Sequence, residues 1–195
     1  MAVKDDPFLL SNPMHDRMVR ILFARGIVTR EQIEHAWLRW LRALRDGEQY
    51  PLWRELLDEP EVDLERIYET AAQAYAFKRI HIGLMGTLVL VERLKNRIVD
   101  AQWNVLIENQ VLPVVERGKR PDDVSRISFA TFDPTHPETR RLVDSLGLPS
   151  FELRYAPADE LLAVTAEVFP RKKFLLGQAI FRGAPTPYFR AVRAF

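Results

Sequence analysis

Two stretches of this chain, residues 16–45 and 51–78, carry the same order of signals: a short amphipathic segment, a tight turn and a longer amphipathic segment. In the first, Met18, Ile21 and Leu22 share one helical face, and Gly26 follows as a helix-ending residue. Thr29 then opens a second helix with Gln32 three residues on, the capping-box pattern in which each side chain satisfies the other residue's backbone N–H. Ile33, Ala36, Trp37, Trp40, Leu41 and Leu44 recur at helical spacing up to Gly47. In the second stretch Leu52, Trp53, Leu56 and Leu57 form a short helix broken near Pro60. Asp63 caps a longer helix carrying Leu64, Ile67, Tyr68, Ala71 and Tyr75. The period is about 34 residues; two copies are too few for a solenoid but enough for a compact four-helix unit.

The rest of the chain has a different texture. Residues 1–15 contain Pro7, Asn12 and Pro13 and read as an arm whose apolar part is Phe8-Leu9-Leu10. Thr87 to about Asn109 reads as one long helix, with Leu88, Val91, Leu94, Ile98, Ala101, Val105 and Leu106 buried. A short β-like run over 111–115, a charged loop over 117–123 and a strand over 127–132 follow. Thr135-His136-Pro137-Glu138 reads as a capping box that starts a helix ending at Gly147. A strand over 151–155 and a helix over 158–169, ended by Pro170, complete a small α/β layer. Residues 171–195 then carry six bases and no acid, interleaved with aromatic and aliphatic residues. The fold expected is α+β. It has an N-terminal arm (1–15), a helical subdomain of two helix pairs (16–80), a long connecting helix (81–110), a small C-terminal α/β subdomain (111–170) and a basic aromatic tail (171–195).

Composition narrows the function. With 28 Lys+Arg against 27 Asp+Glu, the net charge of +1 gives no overall basic character, so non-specific nucleic-acid affinity is not the expectation. The chain has no cysteine, which removes disulfides, thiolate nucleophiles and Cys-ligated zinc. The start is acidic and polar, and the most apolar stretch, 80–91, falls short of the roughly 20 residues of a spanning helix. A cytoplasmic protein is expected.

Residues 17–40 resemble a helix-pair motif that occurs in tandem in the N-terminal domain of type II secretion and type IV pilus assembly ATPases. In outline that motif reads R-L-G-x-x-L-x-x-x-G-x-x-x-x-x-x-L-x-x-A-L-x-x-Q. Arg17, Leu22, Gly26 and Ala36 match it, Ile33 stands in for a leucine, and the second copy matches at Leu52, Leu56 and Ile67. Val111-Leu-Pro-Val, then Ile127 to Asp133-Pro134, then Leu142 to Gly147 are similar to the family's α/β half, so the likeness covers about residues 16–169 in order. The resemblance implies a regulatory and docking domain, here a stand-alone adaptor. Its implied partner is a secretion or pilus ATPase or a membrane-complex component. In part of the family the tandem motif binds cyclic di-GMP as an effector, which implies Arg17, Leu22, Gly26, Ile33, Leu52 and Leu56 as ligand-binding residues. Departures fall at ligand positions: Val19 and Trp53 stand where the family has glycines, and Pro51 stands for the second arginine. Pro60 replaces the second turn glycine, and Trp40 and Ala74 replace the terminal glutamines.

Other chemistries find little support. No phosphate-binding loop is present, since Gly118-Lys119-Arg120 lacks the upstream glycine and the hydroxyl residue; no ATP hydrolysis is expected. His15, His35, His81 and His136 have no metal-ligand spacing, and Ser125, Ser128 and Ser145 sit in no nucleophile elbow. Pro121-Asp122 with Glu152-Leu153-Arg154 only faintly matches a metal-dependent nuclease core, because arginine is a poor substitute for the lysine. Arg30, Arg39, Arg42 and Arg45 on the second helix would suit a DNA-binding helix pair, but Glu31 and Glu34 dilute them. The chain is thus read as a non-enzyme without metal or obligatory cofactor.

Overall fold

A computed structural model of the chain describes residues 12–123 and 126–172. The expected apolar part of the arm and nearly all of the basic tail, residues 1–11 and 173–195, lie outside the described residues. The chain divides into two compact units at Ala74–Tyr75.

In the first unit a 3-10 turn, Pro13–His15, leads into helices α1 (Arg17–Ala24) and α2 (Arg30–Arg45). Asp16 caps α1, accepting hydrogen bonds from the N–H groups of Met18 and Val19 at 2.7 and 3.1 Å. Burial pushes the Asp16 carboxyl pKa up, and those two N–H groups and Arg20 offset only part of the rise. A Schellman turn closes α1: Gly26 has φ +63°, its N–H bonds Phe23 O, and the Ile27 N–H returns to Leu22 O. The capping box of α2 is present, with Gln32 N–H on Thr29 Oγ1 at 3.2 Å and Thr29 N–H on Gln32 Oε1 at 2.8 Å.

The second copy departs from its expected form. Its short helix is a 3-10 helix, Leu52–Asp58, bracketed by Pro51 and Pro60, and Pro51 O takes the Arg54 N–H at 3.1 Å. The tighter wind turns Leu52, Trp53, Glu55, Leu56 and Leu57 all inward. Glu61 (φ +62°) holds the left-handed position where a glycine is ordinary. Helix α3 (Leu64–Ala74) follows, with Asp63 Oδ1 accepting from the Arg66 N–H at 3.1 Å. Leu22, Ile33, Ala36, Trp40, Leu52, Trp53, Leu56, Ile67 and Ala71 make the core of this unit.

The long connecting helix is two helices, both within the second unit: α4 (Leu84–Leu94) and α5 (Asp100–Glu108). Between them Ile98 turns into the core, and the N–H of Val99 bonds Gln102 Oε1 at 3.1 Å to start α5. The break rotates the buried face. Trp103, Leu106 and Ile107 point inward, whereas Ala101 and Val105, expected inside, are exposed.

Strands β1 (Leu112–Val114), β2 (Ile127–Thr131) and β3 (Phe151–Tyr155) form a sheet in the order β1-β2-β3. β1 runs antiparallel to β2, and β2 runs parallel to β3 with Phe129 opposite Leu153. Helix α6 (Pro137–Asp144) links the parallel pair, and α7 (Ala158–Val168) follows β3. The cap of α6 is His136 rather than Thr135: His136 Nδ1 accepts from the Glu138 N–H at 3.2 Å, while the Thr135 hydroxyl bonds Asp133 Oδ1 at 2.6 Å. Residues 78–83 join both outer strands. The Ile80 N–H bonds Tyr155 O, and the Gly83 N–H bonds Val115 O.

Candidate functional site

The six residues implied as ligand-binding fall into two groups. Leu22, Ile33, Leu52 and Leu56 are at most 2% exposed and belong to the core of the first unit. The 3-10 helix over 52–58 packs on both α1 and α2. Arg17 and Gly26 are exposed and stand at opposite ends of α1, about 12 Å apart along its axis at 1.5 Å per residue. A side chain added at Gly26 would meet nothing within 4 Å, so space for an approaching group is open there.

A cleft of about 590 Å³ opens beside the buried face of α2. Asn12, Pro13 and Met14 form one wall, and Phe23 enters from α1. The other wall is a single face of α2, Arg30, Ile33, Glu34, Trp37 and Leu38, at spacings of three, four, seven and eight. Phe23 and Leu38, 42% and 51% exposed, bring two large apolar side chains together at this cleft. Trp37 Nε1 is buried and has no hydrogen-bond partner among the described residues, so an indole donor is left over in this region. Trp40 and Trp53, by contrast, are core residues. Arg30 and Glu34 pair with each other at 3.1 Å on the rim. The cleft is therefore apolar inside and polar at its lip.

A charged cluster lies across the other side of α2. Arg39 donates from Nε to Glu55 Oε2 at 3.1 Å, from Nη1 to Glu59 Oε1 at 2.6 Å and from Nη2 to the Glu55 carbonyl at 2.8 Å. The Tyr50 hydroxyl also donates to Glu55, and His35 Nδ1 stands 3.8 Å from Glu59 Oε2. Glu55 and Glu59 are 3% and 5% exposed. Burial disfavours the Arg39 charge, but hydrogen bonds and charge from Glu59 and Glu55 outweigh it and hold its pKa above the ordinary arginine value. The cluster clamps α2 to the 3-10 helix and takes Arg39 out of any phosphate-facing surface. Sequence reading missed it. Its only local sign is that Arg39 sits beside the stripe of Ala36 and Trp40.

In the second unit, Asp122 pairs with Arg93, which lowers its pKa, and Glu152 pairs with Ser128 and Arg154. Each carboxylate thus has a partner of its own. Among the described residues no group of three or more His, Asp or Glu side chains is arranged to hold a metal ion. No described helix is long and apolar enough to cross a membrane.

No family model and no curated protein matches the chain. Among solved structures, the chain is similar to MshE with cdg, at 18% identity and a TM-score of 0.48, over 78% of this chain and 98% of that one. A likeness of that depth identifies neither ligand nor activity for this chain.

Proposed function

We propose that this protein is a non-catalytic cytoplasmic adaptor that docks an apolar segment of a protein partner in the cleft beside α2. The observation that carries the reading is the cleft itself: Phe23 and Leu38 exposed, Trp37 half-buried, and a polar rim. An apolar core ringed by polar groups is the ordinary anatomy of a protein-binding patch, and aromatic residues commonly anchor it. The partner proposed is a secretion or pilus assembly ATPase, or a component of its membrane complex.

The test mixes the full chain with that ATPase, without nucleotide and at moderate salt, and measures the dissociation constant. Replacing both rim hydrophobes (Phe23→Glu, Leu38→Glu) should weaken the complex at least tenfold, with the helical spectrum unchanged. Equal affinity in that variant would remove the cleft from the interface, and no complex with wild type would remove this partner.

A second reading takes cyclic di-GMP as an effector of the first motif. It rests on the exposure of Arg17 and the open, left-handed Gly26, the geometry in which an arginine meets phosphate and a backbone approaches a ligand. Isothermal titration with cyclic di-GMP, with GMP as control, tests it. Saturable binding lost in Arg17→Ala supports the site, and no heat at high protein concentration discards it.

A further inference from the structure

We infer that α4 carries an interaction surface of its own, the stripe of Met85, Leu88, Val89 and Glu92, and that its partner is α4 of a second copy of this chain, laid antiparallel. The inference is independent of the cleft beside α2.

The first argument sets composition against burial. From Leu84 to Val91 the helix carries no charged side chain, and a helix that is apolar all round is ordinarily buried all round. Here one side is: Thr87, Val91 and Leu94 are buried, and Gly86 lies against Val115. On the other side Met85 and Val89 are 73% and 44% exposed, and Leu88 is half-buried. With Glu92 they stand at i, i+3, i+4 and i+7, a continuous stripe over two turns.

The second argument selects the occupant. The stripe is symmetric about the midpoint between Leu88 and Val89. A copy turned end over end therefore sets Leu88 against the other copy's Val89 and Met85 against its Glu92, each contact made twice. A two-fold interface demands that reciprocity. The ends of the stripe also complement each other in charge. At the C-terminal end the exposed Glu92 has Lys95 beside it, while Arg93 is held by Asp122. At the N-terminal end Gly83 supplies no side-chain cap, so the first-turn N–H groups and the positive end of the helix dipole favour an anion. The exposed Arg117 passes there, its Cα 3.2 Å from the position of a Gly83 Cβ. Antiparallel pairing brings each Glu92 to the other copy's N-terminal end, whereas parallel pairing would set Glu92 against Glu92. Four part-exposed side chains a copy bury less than the about 800 Å² per partner of a standard interface, so the dimer is weak and reversible.

Sedimentation of the full chain over a dilution series tests the surface. Wild type should pass from dimer to monomer on dilution. Met85→Glu, Val89→Glu should be monomeric throughout with an unchanged helical spectrum, since both positions are exposed. Phe23→Glu, Leu38→Glu should leave the dimer constant as it is. A wild type monomeric even at millimolar concentration, or a dimer that survives Met85→Glu, Val89→Glu, would overturn the inference and leave the docking reading standing. Loss of the dimer in Phe23→Glu, Leu38→Glu would overturn it by assigning self-association to the cleft. The chain has no cysteine, so single replacements report the register. Val89 and its counterpart lie within one residue of the two-fold axis. Met85 and its counterpart are seven residues apart, about 10 Å along the helix at 1.5 Å per residue, beyond disulfide reach. Mild oxidation should link Val89→Cys to itself, and Met85→Cys to Glu92→Cys in a mixture, each at least tenfold faster than Met85→Cys to itself. Equal rates would overturn the antiparallel pairing.

Discussion

Arg39 shows how far one residue's role can lie from its sequence neighbourhood. Its guanidinium neutralises two carboxylates, Glu55 and Glu59, that are almost wholly buried. Removing it leaves both acids without a guanidinium, and breaking a buried pair from one side costs about 3–5 kcal/mol. Arg39 itself is 37% exposed, so water replaces part of what is lost. Arg39→Met should therefore destabilise the protein by about 3 kcal/mol in urea denaturation, near the low end of that range. Arg39→Lys should recover only part, because an ammonium cannot reproduce the three-way fork. A loss under about 1 kcal/mol would mean that the cluster does not clamp α2 to the 3-10 helix. The pairing spans sixteen and twenty residues and crosses from an α-helix to a 3-10 helix, so no local spacing announces it. The Thr29–Gln32 capping box was legible because both partners lie within one turn. Glu152 offers a pH test at the same scale. Burial pushes its pKa up, but hydrogen bonds from Ser128 and Arg154 and the charges of Arg154 and Arg126 outweigh that and place it below the ordinary 4.5. A depressed carboxylate pKa stabilises the fold above the unfolded value and ceases to as pH falls through the folded one. Wild type should thus exceed Glu152→Gln in stability at neutral pH, and the two should converge below 4.5. A gap that persists in acid would assign the effect to packing instead.

At the scale of elements, glycine marks where helices stop or meet, and its absence explains what the sequence concealed. Gly26, Gly47 and Gly147 all take left-handed φ after helices, and each of those ends was readable. The ends of α3 and α5 use Ala76 (φ +63°) and Gln110 (φ +49°) in the same conformation, which no composition rule flags. The break between α4 and α5 was hidden for a related reason. Leu94, Ile98, Ala101 and Val105 keep helical spacing across it, and only Asp100 and Gln102, an acid and an amide in a first turn, hint at a new start. The short strands and α6 were legible because turn residues bound them on both sides. Gly86 has a different use, letting α4 approach the segment after β1. A Cβ there would sit 2.9 Å from Val115 Cγ1, and Val115 is buried with its N–H on Thr87 Oγ1 at 3.1 Å. Alanine gains helix propensity of about 1 kcal/mol over glycine, whereas overpacking a tight contact costs roughly 1–3 kcal/mol. Gly86→Ala should therefore destabilise by about 1 kcal/mol in the wild-type background. In a Val115→Ala background the clash is gone, and the same change should be neutral or stabilising. A stabilising Gly86→Ala in wild type would show that Val115 yields freely.

For the whole molecule, the net charge of +1 conceals an uneven division. The first unit, residues 1–74, holds 10 Lys+Arg against 14 Asp+Glu, and the second holds 18 against 13. The proposed docking cleft lies in the acidic unit, yet its interior is apolar and its rim charges, Arg30 and Glu34, already pair with each other. Association there is driven by apolar burial, which salt does not screen, and exposed rim charges act over no more than a Debye length. Residues 173–195, outside the described residues, hold four of the second unit's bases and no acid, a composition that suits the competing class of partner, a nucleic acid, whose phosphates would release counterions on binding. The two mechanisms separate in one titration. A protein contacting several phosphates loses roughly 10³–10⁵ in affinity between about 50 and 200 mM salt. The docked complex should change by less than about threefold over the same range, since no net ion release accompanies it. Measured by fluorescence anisotropy with a labelled partner, a flat response assigns recognition to the cleft in the first unit. A steep loss would assign recognition to contacts with several phosphates and withdraw the docking reading.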